Sequence, residues 1–203
     1  RGEQRPVAII TAIYESSGLV AGSITGLVMA GGRSRRMGED KAGLQLKDKT
    51  FLQAALDDVH RVCKHVVVAL NAQQSFDLPD WCQRLDDKHD YAGPVQALLD
   101  AAERVAGDFL LVRAVDMPYA DSAMLTQQPM PEYVDARMVE VAGRIQPLIG
   151  LYRRQALLQL AACRPRRMMD VVAAIPVERI KMDGADWVNV NQQQDYDVLR
   201  SRA

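Results

Sequence analysis

The run FLLVRAV at residues 109–115 is apolar at every position except Arg113 and leads directly into Asp116. Side chains alternate between the faces of a strand, so a strand apolar on both faces must be covered on both sides. That is the condition of a central strand in a mostly parallel sheet flanked by helices. The surrounding pattern agrees. From Ile24 onward, short β-rich runs alternate with helical ones, as in a layered α/β domain. ITGLVMA at 24–30 and HVVVAL at 65–70 read as strands, and TFLQAALDDVHRVC at 50–63 reads as a helix opened by a Thr50-x-x-Gln53 capping box. PVQALLDAAERVA at 94–106 places a proline where a first helical turn tolerates it. ARMVEVAGRIQPLIGLYRR at 136–154 reads as two strands turning at Ala142-Gly143, an antiparallel addition to the sheet. RQALLQLAAC and RRMMDVVAAI read as helical, VERIKM as a strand, and Asn191 as the cap of a final helix. The expected fold class is therefore α/β, three-layer, with a mostly parallel central sheet, helices on both faces and a small antiparallel addition.

A chain of 203 residues suits one domain, expected over 24–203. Residues 1–23 are expected to be a leader or fusion remnant, because their apolar part is short, interrupted by Glu15 and Ser16, and has no cleavage pattern. A net charge of -1 argues against a nucleic-acid partner and for a small anion met locally. Cys63, Cys82 and Cys163 form no CxxC pair, which argues against a zinc knuckle or a disulfide framework and for a reducing cytoplasm. No apolar run approaches the roughly 20 residues that span a bilayer, so no membrane partner is expected.

The segment LVMAGGRSRRMGEDKAGL at 27–44 switches from a strand to glycines and cations. It lacks the lysine and hydroxyl residue that follow the last glycine of a P-loop, since Gly38 precedes Glu39, Asp40 and Lys41. Its adjacent Gly31-Gly32 also breaks the G-x-G-x-x-G spacing of a dinucleotide fingerprint. What remains is a loop whose glycines let backbone N–H groups approach phosphates while Arg35, Arg36 and Lys41 neutralise charge, or else a solvated basic turn. Asp116 emerges at the carboxyl edge of its strand, where open α/β sheets bind ligands. Magnesium needs only one or two carboxylates besides phosphates and water, so Asp116 is a candidate ligand; the alternative is a helix N-cap. Asp86 and Asp87 fit a solvated turn equally well. His60, His65 and His89 show no metal-ligand spacing, Met168 and Met169 are expected in the core, and Arg164, Arg166 and Arg167 suit a solvated helix start or an anionic substrate.

The glycine–arginine segment resembles the signature of the MobA-like nucleotidyltransferases, most closely the molybdenum cofactor guanylyltransferases. VVVALNA, DDKHDYAGP, VDMP, QPLIGLYRR and NVN follow in the family's order, so the resemblance covers about residues 24 to 200. It implies a Rossmann-like nucleotidyltransferase fold that transfers GMP from GTP to the terminal phosphate of molybdopterin, releasing pyrophosphate with Mg2+ as cofactor. It also implies that Met29, Ala30, Gly31 and Gly32 line the nucleotide, that Lys41 contacts its phosphates, and that Asn71 and Asp86 hold its base and ribose side. Asp116 matches the metal-binding aspartate, and Asn189 and Asn191 lie toward the pterin. Lys41, Arg35, Arg36 and Asp116 would carry the catalysis, and cofactor-insertion proteins or molybdoenzyme chaperones would be further partners. The chain departs from the family pattern at Val95-Gln96-Ala97-Leu98, at Val115 and at Gln146. Cytidylyl or sugar-phosphate transfer and non-catalytic delivery of the pterin are the alternatives.

Overall fold

The computed structural model describes residues 24–31, 40–86, 93–183, 187 and 189–201. Seven strands form one sheet: β1 (Ile24–Met29), β4 (His65–Leu70), β5 (Cys82–Asp86), β6 (Phe109–Ala114), β7 (Ala136–Val141), β8 (Arg144–Arg153) and β9 (Val177–Met182), in the spatial order β5-β4-β1-β6-β8-β7-β9. β8 alone runs against its neighbours, antiparallel to β6 on one side and to β7, with which it forms a hairpin at Ala142-Gly143, on the other; every other pair is parallel. A second, two-stranded antiparallel sheet pairs β2 (Gln45–Leu46) with β3 (Lys49–Thr50). The expected fold class is thus the observed one. Cys82–Asp86, a segment whose alternation of polar and apolar residues is weak, is an edge strand that the sequence pattern left unassigned.

Alternation along each strand sorts the core into two layers. Val28, Val66, Val68, Leu111 and Leu151 face α1 (Phe51–His60) and the C-terminal helix, here α5 (Gln193–Ser201). Leu27, Val67, Leu110, Val112 and Tyr152 face α2 (Pro94–Arg104), α3 (Arg154–Ala161) and α4 (Met168–Ala174). Helix α1 forms where the capping box predicts it: the Thr50 hydroxyl accepts from Gln53 N at 3.1 Å and the Gln53 carboxamide accepts from Thr50 N at 2.8 Å. It lies so close to β1 that a Cβ on Gly26 would come within 2.1 Å of Val59 Cγ1. Gly93 precedes Pro94 with φ 87°, a left-handed conformation that glycine adopts without steric cost, while a Cβ there would meet nothing within 4 Å.

Two expectations need correction. Asn191 is not the cap of α5; the Asp195 carboxylate reaches back to accept from Asn191 N at 2.8 Å and Gln192 N at 2.9 Å, so an acid inside the first turn satisfies the exposed donors. Met169 is more than half exposed and only Met168 packs against the core, because α4 is two turns long and presents few positions to the sheet. Among the described residues no helix is long and apolar enough to cross a membrane.

Three arginines hold the long connection from β6 to β7 by its carbonyl oxygens. Arg113 is fully buried and donates to Ala114 O, to Met117 O at 2.5 Å and to Ala120 O at 3.5 Å. Arg137 donates to Leu125, Gln128 and Pro129, and Arg153 to Met130, Pro131 and Val134. Burial lowers the pKa of Arg113, and Asp58 on α1, 3.0 Å from its Nε, opposes that shift. Asp58 also accepts from Ser122 N and Ser122 Oγ, the latter at 2.6 Å, so it ties α1 to both ends of the first clamp. Removing one partner leaves a buried charge unpaired. Asp58→Ala should therefore destabilise the protein by about 3–5 kcal/mol in chemical denaturation, whereas Asp57→Ala, which breaks the exposed pair with Lys49, should leave the midpoint unchanged.

Candidate active site

The strand order reverses at β1: the chain runs outward through β4 and β5 and then returns to place β6 on the other side. A crevice opens at such a switch point, beyond the carboxyl ends of the strands. Met29, Ala30 and Gly31 form the end of β1, and both Ala30 N and Gly31 N donate to Ala69 O, at 3.1 and 3.0 Å. Asp116 stands just past the end of β6, where Val115 N donates to Met29 O at 3.3 Å. Asp116 is not a helix cap, since the following 3-10 turn at Ser122–Thr126 is capped by Asp121.

Lys41 opens a short 3-10 turn, Lys41–Gly43, that Asp40 caps by accepting from Ala42 N at 3.0 Å. Its Nζ donates to Asn191 Oδ1 at 3.1 Å and lies 3.9 Å from Asp116 Oδ2. Val190 N donates to Asp116 O at 2.8 Å, which seats the Asn189–Asn191 segment beside β6. Three of the sequence candidates therefore converge, Lys41, Asp116 and Asn191, and Asn189 lies next to Val190 on the same segment. Gly32, Arg35 and Arg36 lie outside the described residues, as do Asp87 and His89.

The electrostatics of this end are unbalanced in a way that suits a cation. Burial raises the pKa of Asp116 above the ordinary 3.8, and the charges of Lys41 and Arg113 offset this only in part. Asn189 Oδ1 is buried with no hydrogen-bond partner, an uncompensated acceptor of the kind native structures rarely leave. A carboxylate and a carboxamide oxygen are hard donors, which fits Mg2+ or a similar ion completed by phosphate and water. Among the described residues no group of three or more His, Cys, Asp or Glu side chains forms a self-sufficient metal cage. Nor is there a thiolate nucleophile in the core, because burial pushes the Cys63 thiol up to about 12 and that of Cys82 up to about 11.

The other end of the crevice lies at β4 and β5. Asn71 Oδ1 accepts from Gln73 N at 3.0 Å and Gln74 N at 3.1 Å, so its oxygen is spent within the turn and its NH2 is the group left for a ligand. Asp86 is exposed at the end of β5 and paired with Arg84 Nε at 2.6 Å, while the Arg84 guanidinium also donates to Gln74 O and Asn71 O. Asp86 and Asp116 are thus not neighbours. Three inter-strand spacings separate β5 from β6, about 14 Å, so the two ends can be met together only by an extended ligand. Gln74, Arg84 and Asp40 were absent from the sequence-derived set, although each orients a member of it. Asp40 belongs to the glycine–arginine segment, but Gln74 and Arg84 carry no motif, and only the sheet order brings the three together.

Residues 26–180 match the MobA-like NTP transferase domain family. The chain is 30% identical over 163 residues to a probable molybdenum cofactor guanylyltransferase of Chloroflexus aggregans, covering 75% of this chain and 77% of that protein. It is also 30% identical over 202 residues to one of Opitutus terrae, covering 90% and 97%. Among solved structures, Rv0371c of Mycobacterium tuberculosis superimposes with a TM-score of 0.71 at 21% identity over 90% of this chain and 100% of that one. Its complex with manganese gives a TM-score of 0.68 at 20% identity over 89% and 100%. These two likenesses carry the fold.

The raised pKa of Asp116 has a definite sign. A carboxyl group whose pKa is higher in the folded state adds stability below its unfolded value near 3.8, and that stability is lost as pH rises through the folded value. In the metal-free protein, Asp116→Asn should therefore melt at or above the temperature of the parent at pH 7, and the difference should close as the pH falls toward 4. If Asp116 holds a divalent cation, the same substitution should also abolish any rise in Tm that Mg2+ with a nucleoside triphosphate gives the parent. Thermal scans at both pH values check each outcome.

Proposed function

This chain belongs to the MobA-like NTP transferase domain family, a family of nucleotidyltransferases, and from that premise we propose that it transfers GMP from GTP to the terminal phosphate of molybdopterin. The observation that carries the proposal is the convergence of Lys41, Asp116 and Asn191 at the switch point, one crevice-length away from Asn71 and Asp86. A nucleoside triphosphate has the same polarity: charge at one end, hydrogen-bonding ring and ribose at the other. The names of the relatives from Chloroflexus aggregans and Opitutus terrae support guanylyl transfer as the chemistry.

In this reaction an oxygen of the acceptor phosphate attacks the α-phosphorus of GTP in line. A new P–O–P bond forms, the bond to the bridging oxygen breaks, and pyrophosphate leaves with the electron pair. A phosphate monoester has its second pKa near about 6, so the attacking group is already ionised at neutral pH and needs no general base. The protein has to hold two anions together and meet the charge on the leaving group. Lys41 would take that role, a reading supported by its position 3.9 Å from Asp116, and Arg35 and Arg36 would join it. Asn191 would orient the Lys41 ammonium through its side-chain oxygen, and with Asn189 would face the pterin side. Met29, Ala30, Gly31 and Gly32 would present the backbone to the nucleotide. Asn71 would donate its NH2 to the base or ribose, and Asp86 would bear on the same side.

Asp116, assisted by the unpartnered oxygen of Asn189, would hold a divalent cation, with Mg2+ the proposed ion and the manganese complex of Rv0371c the supporting likeness. When bound, such an ion neutralises phosphate charge and orients the transferring group. Cofactor-insertion proteins or molybdoenzyme chaperones would receive the product, in the cytoplasm.

Pyrophosphate release from GTP and molybdopterin in the presence of Mg2+ tests the proposal, with CTP as the competing nucleotide. Release with GTP and loss of release in Asp116→Ala are expected; release with CTP in preference would redirect the assignment to cytidylyl transfer, and binding of GTP without release would leave only a delivery role. If Lys41 meets the leaving charge, Lys41→Ala should lower kcat by about 10²-fold while changing GTP affinity much less. Equal losses in kcat and affinity would remove Lys41 from the transition state.

A further inference from the structure

One buried side chain bridges the two ends of the glycine–arginine loop. Gln74 lies in the turn after β4 and uses its whole carboxamide: Nε2 donates to Ala30 O at 3.0 Å and to Asp40 Oδ2 at 2.5 Å, while Oε1 accepts from Asn71 N at 2.9 Å. Ala30 is the last described residue but one before the loop, and Asp40 is the first after it. We propose that the Gln74 carboxamide is a positioning group that clasps both ends of this loop and, through the Asp40 cap, sets Lys41 against Asp116 and Asn191.

Asp40 links the clasp to Lys41 because its two oxygens face different partners. Oδ1 accepts from Ala42 N and so starts the 3-10 turn that projects Lys41, while Oδ2 receives the Gln74 amide. A carboxylate held by a single local bond could rotate about its own side chain, but one pinned on both oxygens fixes the turn relative to β1. The bond to Ala30 O anchors the same amide to the strand end, so Ala30 and Asp40 are held together by one side chain. The link continues on the other side. Asn71 is bonded to Gln74 in both directions and Arg84 donates to the carbonyls of both residues, so the nucleotide's base end and its phosphate end are joined through this one amide. A ligand that orders Asn71 therefore acts on Lys41 as well. Asn71 and Gln74 are buried and Asp40 and Arg84 half-buried, and every polar atom of the Gln74 carboxamide is paired, the condition under which its removal is felt by the rest.

The catalytic consequence rests on the function proposed above, but the placement of Lys41 does not, and the test separates them. In the ligand-free protein, the rate at which an amine-acylating reagent labels each lysine is read by mass spectrometry for the parent and for Gln74→Met, which keeps length and loses every hydrogen bond. Labelling of Lys41 should rise by about threefold or more, with Lys49 unchanged as the internal reference. An unchanged Lys41 rate in a folded Gln74→Met protein overturns the proposal. Should Gln74→Met fail to fold, the pair Gln74→Glu and Gln74→Glu with Asp40→Asn decides. The single change opposes two carboxylates, while the double change lets a new carboxamide at 40 donate to the new carboxylate at 74 and keeps the cap on Ala42. Restoration of the Lys41 rate to within about twofold of the parent in the double variant is expected, and equal rates in the single and double variants overturn the clasp.

In the reaction itself, Gln74→Met should lower kcat by about tenfold with Lys41 present and by less than about twofold in the Lys41→Ala background. Losses that multiply independently in the two backgrounds overturn the route through Lys41. A parent protein that releases no pyrophosphate overturns the proposed function instead and leaves the labelling result to decide the clasp.

Discussion

The fully buried guanidinium of Arg113 is the constraint around which the catalytic edge of this protein is arranged. A cation in a central strand is costly to desolvate, and it is tolerated because Asp58 pairs with it and the carbonyl oxygens of Ala114, at the strand end, and of Met117 and Ala120, in the following connection, surround it. Those carbonyls belong to the segment that carries Asp116. The ion pair thus does two things at once: it locks α1 onto the sheet, and it shapes the turn that presents the acidic side chain to the crevice. Arg137 and Arg153 continue the same device along the connection, so a stretch with little regular structure is held by its backbone rather than by packing alone.

Rigidity on the β6 side is matched by a hydrogen-bonded chain on the β1–β4 side. Gln74, Asn71, Asp40 and Arg84 connect the edge strand to the turn that bears Lys41. Between these two frames lies the carboxyl edge of the sheet at the switch point, with cationic and acidic groups at one end and a carboxamide and a paired acid at the other. The energetic logic is preorganisation. Lys41 and Asp116 are brought within 3.9 Å before any ligand arrives, and the Asp116 carboxyl is held at a raised pKa that cation binding would relieve. A site with an unpartnered buried oxygen and a destabilised carboxylate is expected of a protein that has traded some stability for binding.

Much of the fold was legible because it rests on local chemistry and periodicity. The capping box at Thr50–Gln53, the doubly apolar run at 109–115 and the turn at Ala142-Gly143 each specify an element without help from distant residues. Lys41 and Asp116 stood out for different reasons: Asp116 follows a doubly apolar strand, and Lys41 sits in a segment of glycines and cations. What the sequence hid depends on long-range pairing. Asp58 looks like any polar residue on a helix, and nothing local says that it meets a guanidinium 55 positions away. Gln74 sits in a polar turn, and its role appears only once β4 is laid beside β1. The cap of α5 was misassigned to Asn191 because two side chains compete there: Asn191 is engaged by Lys41, and Asp195 satisfies the backbone donors.

The central claim is that a nucleoside triphosphate lies along the carboxyl edge of the sheet with its phosphates at Lys41 and Asp116 and its base toward Asn71 and β5. A crystal structure of the protein with GTP and Mg2+ measures that most directly. The account predicts phosphate oxygens within hydrogen-bond distance of Lys41 Nζ, the ion on Asp116, and the Asn71 NH2 facing the base or ribose. A nucleotide bound in the reverse direction, or at the opposite end of the sheet beside Arg153 and Arg154, would contradict it.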